Sequence, residues 1–169
     1  MTRVIITGSS DGLGLMAARL LIEQGHEVVL HGRNEGRSRD AFAAAPGARG
    51  VVCGDLATIA GARTVAGEVN KLGRFDAVIH NAGVGYREGR VEMEPGVPSV
   101  FAVNVLAPYI LTALIEKPKR LVYLSSGMHR ACANGRSAVD QAILEWVVCI
   151  RGEQALRCFA GICRRSPLE

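Results

Sequence analysis

The sequence predicts one α/β domain in which parallel strands form a doubly wound sheet between two layers of helices. A glycine-rich turn follows an apolar strand pattern at the start of the chain. Short apolar runs then alternate with helical patterns, and this alternation requires parallel pairing with right-handed crossovers. The 169 residues are 49% hydrophobic but only 5% aromatic, which suits a single core of small-residue helices packed on a sheet.

The first half of the chain divides into three strands and three helices. Apolar runs bounded by turn residues predict strands at 3–6, 27–30 and 50–53. Apolar residues at helical spacing predict helices at 15–24, 34–45 and 57–72. Gly25 is expected to end the first helix and Pro46-Gly47 the second, because neither residue type favours helix continuation.

The second half begins in the same rhythm and then loses it. A fourth strand is expected at 75–79, a long helix at 98–115 and a fifth strand at 120–125. We expect the long helix to be kinked or interrupted near Pro108, because proline lacks the amide that a helix interior needs. After about residue 131 the alternation stops. We therefore expect a domain at 1–131 and an atypical tail at 132–169.

Charge and cysteine content exclude several function classes. Twenty basic and sixteen acidic residues give a net charge of +4, which is too diffuse to indicate nucleic-acid binding. Five cysteines without paired C-x-x-C spacing argue against a zinc site or a disulfide framework, so no metal is expected. No run approaches the roughly 18 apolar residues of a membrane span, and the first residues lack the pattern of a secretory signal. We expect a cytoplasmic protein without membrane attachment.

The glycine-rich turn at residues 7–14 is the first candidate binding site. Gly8, Gly12 and Gly14 lie between the first strand and the first helix. Glycines at this place let the backbone approach a pyrophosphate, which then lies at the helix N-terminus where free N–H groups favour negative charge. Considered alone, the pattern also fits a plain tight turn.

Three motifs in order resemble those of the short-chain dehydrogenase/reductase family. They are T-G-x-x-x-G-x-G at residues 7–14, Asp55-Leu56 after the third strand and Asn81-Ala82-Gly83 after the fourth, and the resemblance covers residues 1 to about 130. It implies a Rossmann-type sheet of five parallel strands in the order 3-2-1-4-5, without the family's C-terminal strands. The cofactor-binding residues we expect are Gly8, Ser9, Ser10, Gly12, Leu13, Gly14, Arg33, Asn34, Asp55, Leu56, Asn81, Ala82 and Gly83.

The resemblance also implies individual roles. Asp55 would hydrogen-bond the adenine, and Asn81 would brace the central sheet beside the cofactor. Asn104 would hold a water in a proton relay, and Ser126 would be the catalytic serine that hydrogen-bonds the substrate carbonyl. Each residue has a purely structural alternative: a helix N-cap for Asp55, a turn residue for Asn81, an exposed helix asparagine for Asn104 and a strand terminator for Ser126.

The end of the second strand indicates the cofactor. An acidic residue there would bind a ribose 2′-hydroxyl, whereas an arginine would pair with a 2′-phosphate. Residues 30–34 read Leu-His-Gly-Arg-Asn and contain no carboxylate. We therefore predict NADP(H) over NAD(H), with Arg33 on the phosphate and Arg37 as a weaker helper. The alternative is that Arg33 is a solvated residue at a helix start.

The resemblance fails at the family's proton donor, a tyrosine followed four residues later by a lysine. Here Tyr86, Tyr109 and Tyr123 are followed at that distance by arginine, alanine and glycine, and no lysine occurs after Lys119. We expect an NADP-dependent oxidoreductase of small alcohols and carbonyls whose activity is impaired or absent in this chain. The alternative is a catalytically silent NADP(H)-binding module or sensor that acts through a protein partner.

The tail has two possible origins. With suitable third bases, the frame one base along from residues 149–159 encodes Ala-Tyr-Ala-Ala-Ser-Lys, which supplies the missing pair at a distance from Ser126 typical of the retinol dehydrogenase-like branch. This predicts a frameshift between residues 130 and 144. Codon degeneracy permits that frame without requiring it, so a genuine short variant stays open. A homodimer is possible in either case, whereas family-type tetramers are not expected.

Overall fold

The structure is a computed structural model, and it describes residues 1–85, 92–94 and 96–124. The predicted tail at 132–169 and Ser126 lie outside these residues. Seven strands are described: β1 (Arg3–Ile6), β2 (Glu27–Gly32), β3 (Gly50–Cys53), β4 (Ala77–His80), β5 (Glu92–Glu94), β6 (Val97–Pro98) and β7 (Arg120–Tyr123). The helices are α1 (Gly12–Glu23), α2 (Glu35–Ala44), α3 (Ile59–Lys71), α4 (Ser99–Phe101), a π-helical turn (Ala102–Leu106) and α5 (Ala107–Leu114).

Five of the strands form one parallel sheet in the order β3-β2-β1-β4-β7. This is the predicted 3-2-1-4-5 order, since β7 is the fifth strand expected from the sequence. Strand β1, which leads into the glycine turn, lies at the centre and pairs with β4 in parallel, so the carboxyl ends of β1 and β4 lie side by side. The doubly wound α/β fold and its strand order are therefore confirmed.

Two apolar layers hold helices on opposite faces of the sheet. One contains side chains of α1 and α2 packed on β1 and β2, with Ala18, Ala41, Val28 and Leu30 fully buried. The other contains α3 and α5 on the opposite face, with Val65, Val69 and Leu111 at 0% exposure. Strands covered on both faces are nearly continuous apolar runs, as parallel strands require.

The region between β4 and β7 is more irregular than predicted. The helix expected at 98–115 is interrupted, as anticipated, by a π-helical turn that separates α4 from α5, in which the amide of Ala107 bonds to the carbonyl of Ala102 five residues back. Pro108 lies in the first turn of α5 and has no amide to give to the carbonyl four residues earlier. The irregularity therefore falls one turn before the proline. The short antiparallel pair β5-β6 was not predicted.

The other boundaries shift by a few residues. Helix α1 begins at Gly12, inside the glycine motif, and β2 continues two residues beyond its predicted end to Gly32. Strands β1 and β3 match their predicted ranges. Among the described residues, no helix is both long and apolar enough to cross a membrane.

Candidate functional site

Gly8 brings the first turn against the end of β4. Its φ of +61° lies in the left-handed region, which side chains other than glycine rarely adopt. A Cβ placed on Gly8 would lie 2.7 Å from the Cα of Ala82. Any larger residue would push β1 and β4 apart at this point. Gly8 therefore lets the turn approach the Asn81-Ala82-Gly83 segment, whereas the expected approach to a pyrophosphate stays a prediction.

Gly14 and Gly12 face opposite environments. A Cβ on Gly14 would overlap the carbonyl of Gly8 and the side-chain amide of Asn81, so α1 starts in close contact with the turn. Gly12 has a φ of +53°, and no atom of the described residues lies within 4 Å of the position that a Cβ would take. The outer side of the turn is thus open where α1 begins.

The first turn of α1 has amides at this side for which no described residue supplies an acceptor. The side chain of Asp11, at the N-cap, makes no capping bond, and the first backbone bond runs from Leu15 back to Asp11. The amides of Gly12, Leu13 and Gly14 therefore lack an intrahelical partner, and none is given by another described residue. Such a terminus fits a pyrophosphate, because the amides and the helix dipole both favour negative charge.

Asn81 braces the turn from the neighbouring strand. Its Nδ2 donates to the carbonyls of Thr7 and Gly8 at 2.9 and 2.8 Å. The hydroxyl of Thr7 in turn accepts hydrogen bonds from the amides of Asn81 and Ala82 at 3.0 and 3.1 Å. The Asn81 side chain therefore joins the ends of β1 and β4. The structural alternative, in which Asn81 is only a turn residue, does not account for these bonds.

His31 braces the same turn from the other side, although it is not among the residues predicted for the site. It is 2% exposed, and its Nδ1 accepts the amide proton of Gly8 at 3.0 Å while Nε2 lies 2.9 Å from the carbonyl of Gly54. Burial lowers the pKa of its imidazole, against the opposing effects of the Gly54 carbonyl and the Asp55 charge. The signal was a polar residue at the end of an apolar strand, since buried polar groups require partners.

Ser9 and Ser10 are less available than predicted. Ser9 is fully buried, its hydroxyl donates to the carbonyl of Ile6 and accepts from the amide of His31, and its own amide bonds to the His31 carbonyl. Its hydroxyl and its amide are therefore both used to shape the turn. Ser10 is half-buried, and its hydroxyl has no partner among the described residues. A direct cofactor contact is thus a prediction that suits Ser10 better than Ser9.

Two arginines follow β2, Arg33 directly after the strand and Arg37 in α2, and they differ in their partners. Arg33 is exposed and has no ion pair or hydrogen bond with any described residue. Arg37, in the first turn of α2, forms an ion pair with Asp11 of the glycine turn. Asn34 is the N-cap of α2, where its Oδ1 accepts from the amide of Arg37 at 2.9 Å. Within the described part of the chain, Arg33 has no partner that would keep it from an anion, whereas Arg37 is already paired with Asp11.

Asp55 lies in the loop between β3 and α3. Its Oδ1 accepts from the amide of Ala57 at 2.9 Å, and its backbone carbonyl accepts from the hydroxyl of Thr58. The N-cap of α3 is Thr58, so the helix-cap alternative for Asp55 is wrong. Leu56 is 5% exposed and belongs to the core, so only its backbone faces the loop.

Asn104 holds the segment after β4. Its Oδ1 accepts from the amide of Val84 at 2.9 Å, and its Nδ2 donates to the carbonyl of the same residue at 3.0 Å. Gly83 lies directly beneath, because a Cβ there would be 3.6 Å from Asn104 Oδ1. Both side-chain groups are therefore engaged. The predicted water contact would have to use another atom, such as the carbonyl within the π-helical turn.

A buried polar cluster supports the ends of β4 and β7. The rings of His80 and Tyr123 stack with centroids 4.7 Å apart, and the Thr112 hydroxyl lies 2.7 Å from the Tyr123 hydroxyl and 3.2 Å from His80 Nε2. Burial lowers the pKa of His80 to about 3 and raises that of Tyr123. The cluster fixes α5 against the sheet beside Asn81.

Comparisons with known proteins agree with this geometry. The family model for short chain dehydrogenases matches residues 2–120. The chain is 54% identical over 132 residues to an uncharacterized oxidoreductase of Emericella nidulans, covering 76% of this chain and 52% of that protein. It is 42% identical over 163 residues to the short-chain dehydrogenase chyC of Penicillium rubens, covering 96% of this chain and 60% of that protein. The chain thus spans between half and two thirds of these relatives.

A solved structure shows the same fold. It is described as a candidate NAD(P)-dependent gluconate 5-dehydrogenase from Beutenbergia cavernae with bound NADP at low occupancy. The match has a TM-score of 0.62 and 27% identity, and it covers 76% of this chain and 55% of the other. Sequence, topology and family model agree: this chain belongs to the short-chain dehydrogenase family.

Proposed function

We propose that this chain binds NADP(H) and is the nucleotide-binding part of an oxidoreductase that interconverts an alcohol with a ketone or aldehyde. One observation carries the proposal: at the ends of β1 and β2, the first-turn amides of α1 and the Arg33 side chain have no partner among the described residues. A dinucleotide needs an anion site for its pyrophosphate, and a 2′-phosphate needs a second cation nearby. The two features lie at the carboxyl ends of adjacent strands, where open α/β sheets bind ligands.

The remaining residues each bind or orient one part of the dinucleotide. The first-turn amides of α1 receive the pyrophosphate. Asp55 keeps one carboxylate oxygen without a described partner, and this oxygen can accept from the adenine amino group. Asn81 and Ala82 line the inner wall, where Gly8 already excludes larger side chains. When bound, the nicotinamide supplies or accepts the hydride.

The preference for NADP(H) over NAD(H) follows from the two arginines. Arg33 is the first partner of the 2′-phosphate, because Arg37 is held by Asp11. The structural relative from Beutenbergia cavernae carries NADP, which supports the same choice. No carboxylate follows β2 within residues 33–34 to bind a free 2′-hydroxyl.

This chain lacks the residue pair that donates the proton in the family it belongs to. Asn104 and Ser126 are retained, but no tyrosine is followed four residues later by lysine. Loss of a positioned general acid lowers a rate by about 10²- to 10⁴-fold. We therefore propose weak or absent turnover of small carbonyls and alcohols. Reading the coding sequence of residues 126–169 in all three frames tests whether a shifted frame carries the missing pair.

A silent NADP(H)-binding module is the second candidate, and the absent Tyr-x-x-x-Lys pair is what favours it. Such a module would report the NADP(H) state to a protein partner and could form a homodimer in the cytoplasm. NADPH fluorescence separates the two candidates. Saturable binding without oxidation by a panel of aldehydes and ketones favours the module, whereas steady turnover favours the enzyme.

The cofactor assignment is tested by Arg33→Asp, with Arg39→Asp on the exposed side of α2 as the matched control. Both variants change the net charge equally. Arg33→Asp should lower NADPH affinity about tenfold or more and leave NADH affinity nearly unchanged, as expected for loss of a charge-assisted bond. An unchanged NADPH/NADH affinity ratio in Arg33→Asp would refute the role of Arg33.

A further inference from the structure

His31 connects the two strand ends that face the dinucleotide. Its ring accepts the Gly8 amide proton at Nδ1 and meets the Gly54 carbonyl at Nε2. A carbonyl oxygen can only accept, so Nε2 carries the ring proton and Nδ1 is bare. The two contacts together require the neutral Nε2–H tautomer.

The backbone of the same residue completes the bridge. The His31 amide donates to Ser9 Oγ at 2.8 Å, and its carbonyl accepts from the Ser9 amide at 3.1 Å. Four bonds therefore tie His31 to its surroundings, three of them to the start of the glycine turn. The fourth reaches Gly54, the residue directly before Asp55.

We propose that His31 is a positioning residue for the dinucleotide, holding the glycine turn and the Asp55 loop in one fixed arrangement through its bare Nδ1 and protonated Nε2. The inference rests on the proposed function. The pyrophosphate and the adenosine would meet these two loops at the same time. A ring that fixes their separation lowers the cost of ordering them when the ligand binds.

Protonation would break this bridge. An imidazolium has a proton on both nitrogens, and Nδ1–H would then point at the Gly8 N–H. Two donors facing each other cannot bond, so the turn must change or the ring must stay neutral. The lowered pKa of His31, caused mainly by burial, is consistent with a ring that stays neutral. The residues bonded to His31, which are Gly8, Ser9 and Gly54, carry no titratable side chain. Among the described residues, the charge that acts on the ring is that of Asp55.

Three substitutions separate the two ring contacts. In His31→Asn the side-chain oxygen occupies the place of Nδ1 and keeps the Gly8 bond. His31→Gln places its amide near Nε2 and keeps the Gly54 bond, whereas His31→Ala loses both. His26→Asn is the control, because His26 follows α1 at the opposite end of the sheet.

The bridge needs both ring contacts, so NADPH affinity should fall with each contact that is lost. His31→Asn and His31→Gln, which each keep one contact, should bind NADPH about threefold more weakly, and His31→Ala, which loses both, about tenfold more weakly. His26→Asn should not change the affinity. Equal affinity of the wild type and His31→Ala would overturn the inference. If the wild type binds no dinucleotide, the proposed function fails instead.

A measurement on the wild type covers the case in which the variants do not fold. Nitrogen NMR shifts of His31 distinguish a bare Nδ1 from a protonated one. The inference requires bare Nδ1, and it requires the Gly8 amide and His31 Nδ1 signals to shift together as NADPH is added. A protonated Nδ1 near neutral pH would contradict the inference, as would a Gly8 amide signal that does not shift when NADPH is added.

Discussion

Asn81 donates two hydrogen bonds to Thr7, one from its backbone amide to the hydroxyl at 3.0 Å and one from its Nδ2 to the carbonyl at 2.9 Å. The two residues lie 74 positions apart, at the ends of adjacent strands β1 and β4. This contact fixes the inner wall of the nucleotide site. It also explains why the glycine turn and the Asn-Ala-Gly segment occur together in one sequence.

Asn81→Ala should weaken both folding and binding. It leaves two carbonyls without their donor, which costs about 2 kcal/mol of unfolding free energy. NADPH affinity should fall about tenfold, because the turn is no longer held. Urea unfolding and fluorescence titration measure the two effects.

The matched control for this variant is Asn70→Ala. Asn70 makes a similar pair of bonds to Leu114 and Glu116 at the far end of α3. Its loss should lower stability by a similar amount and leave NADPH affinity within about twofold. Equal loss of affinity in both variants would mean that binding follows general stability, contrary to the role given to Asn81.

Gly8→Ala and Gly12→Ala should differ, although both residues have positive φ. Gly12→Ala introduces only backbone strain, about 1 kcal/mol, because the space beside it is open. Gly8→Ala adds an overlap with the Ala82 backbone and should cost about 3 kcal/mol or more. Thermal unfolding of both variants measures the difference. Equal losses would contradict the close approach of β1 and β4.

Asp11→Asn should increase selectivity for NADPH. The substitution removes the carboxylate that pairs with Arg37 and leaves that guanidinium free to join Arg33 on a 2′-phosphate. NADPH affinity should rise about threefold, with NADH affinity unchanged. The stability cost should be small, because exposed ion pairs contribute about 0.2–1 kcal/mol. A fall in NADPH affinity would show that Asp11 supports the site by another route.

Stability should fall as the solution becomes acidic. Burial lowers the pKa of His80 from 6.5 to about 3. Between these two pH values, the unfolded chain therefore binds a proton at His80 that the folded chain does not bind. The stabilising effect is complete above about pH 6.5 and is lost as pH falls toward 3. One such group gives about 1.4 kcal/mol per pH unit, or about 2 kcal/mol between pH 6.5 and 5.

Urea unfolding at several pH values tests this slope. His80→Phe keeps the stacked ring beside Tyr123 but cannot titrate, so the slope should decrease. His26→Gln should retain the wild-type slope, because His80 is still present. A slope that is unchanged in His80→Phe would assign the pH dependence to other groups.

Local patterns predicted the strands well. Residues 3–6 and 50–53 were placed to the residue, because turn residues bound their apolar runs. The motifs expected after the third and fourth strands also placed Asp55 and Asn81 just beyond the carboxyl ends of β3 and β4. What local patterns missed depends on distant partners. The ring of His31 bonds to Gly8, 23 residues away, and Asn104 bonds to Val84, 20 residues away across the π-helical turn.

The central claim is that this chain binds NADP(H) at the glycine turn, and an NADPH fluorescence titration tests it most directly. We expect saturable one-to-one binding with a dissociation constant on the order of micromolar, weaker binding of NADH and about tenfold weaker NADPH binding in Asn81→Ala. A folded wild-type protein whose NADPH signal does not saturate up to about millimolar concentration would contradict it.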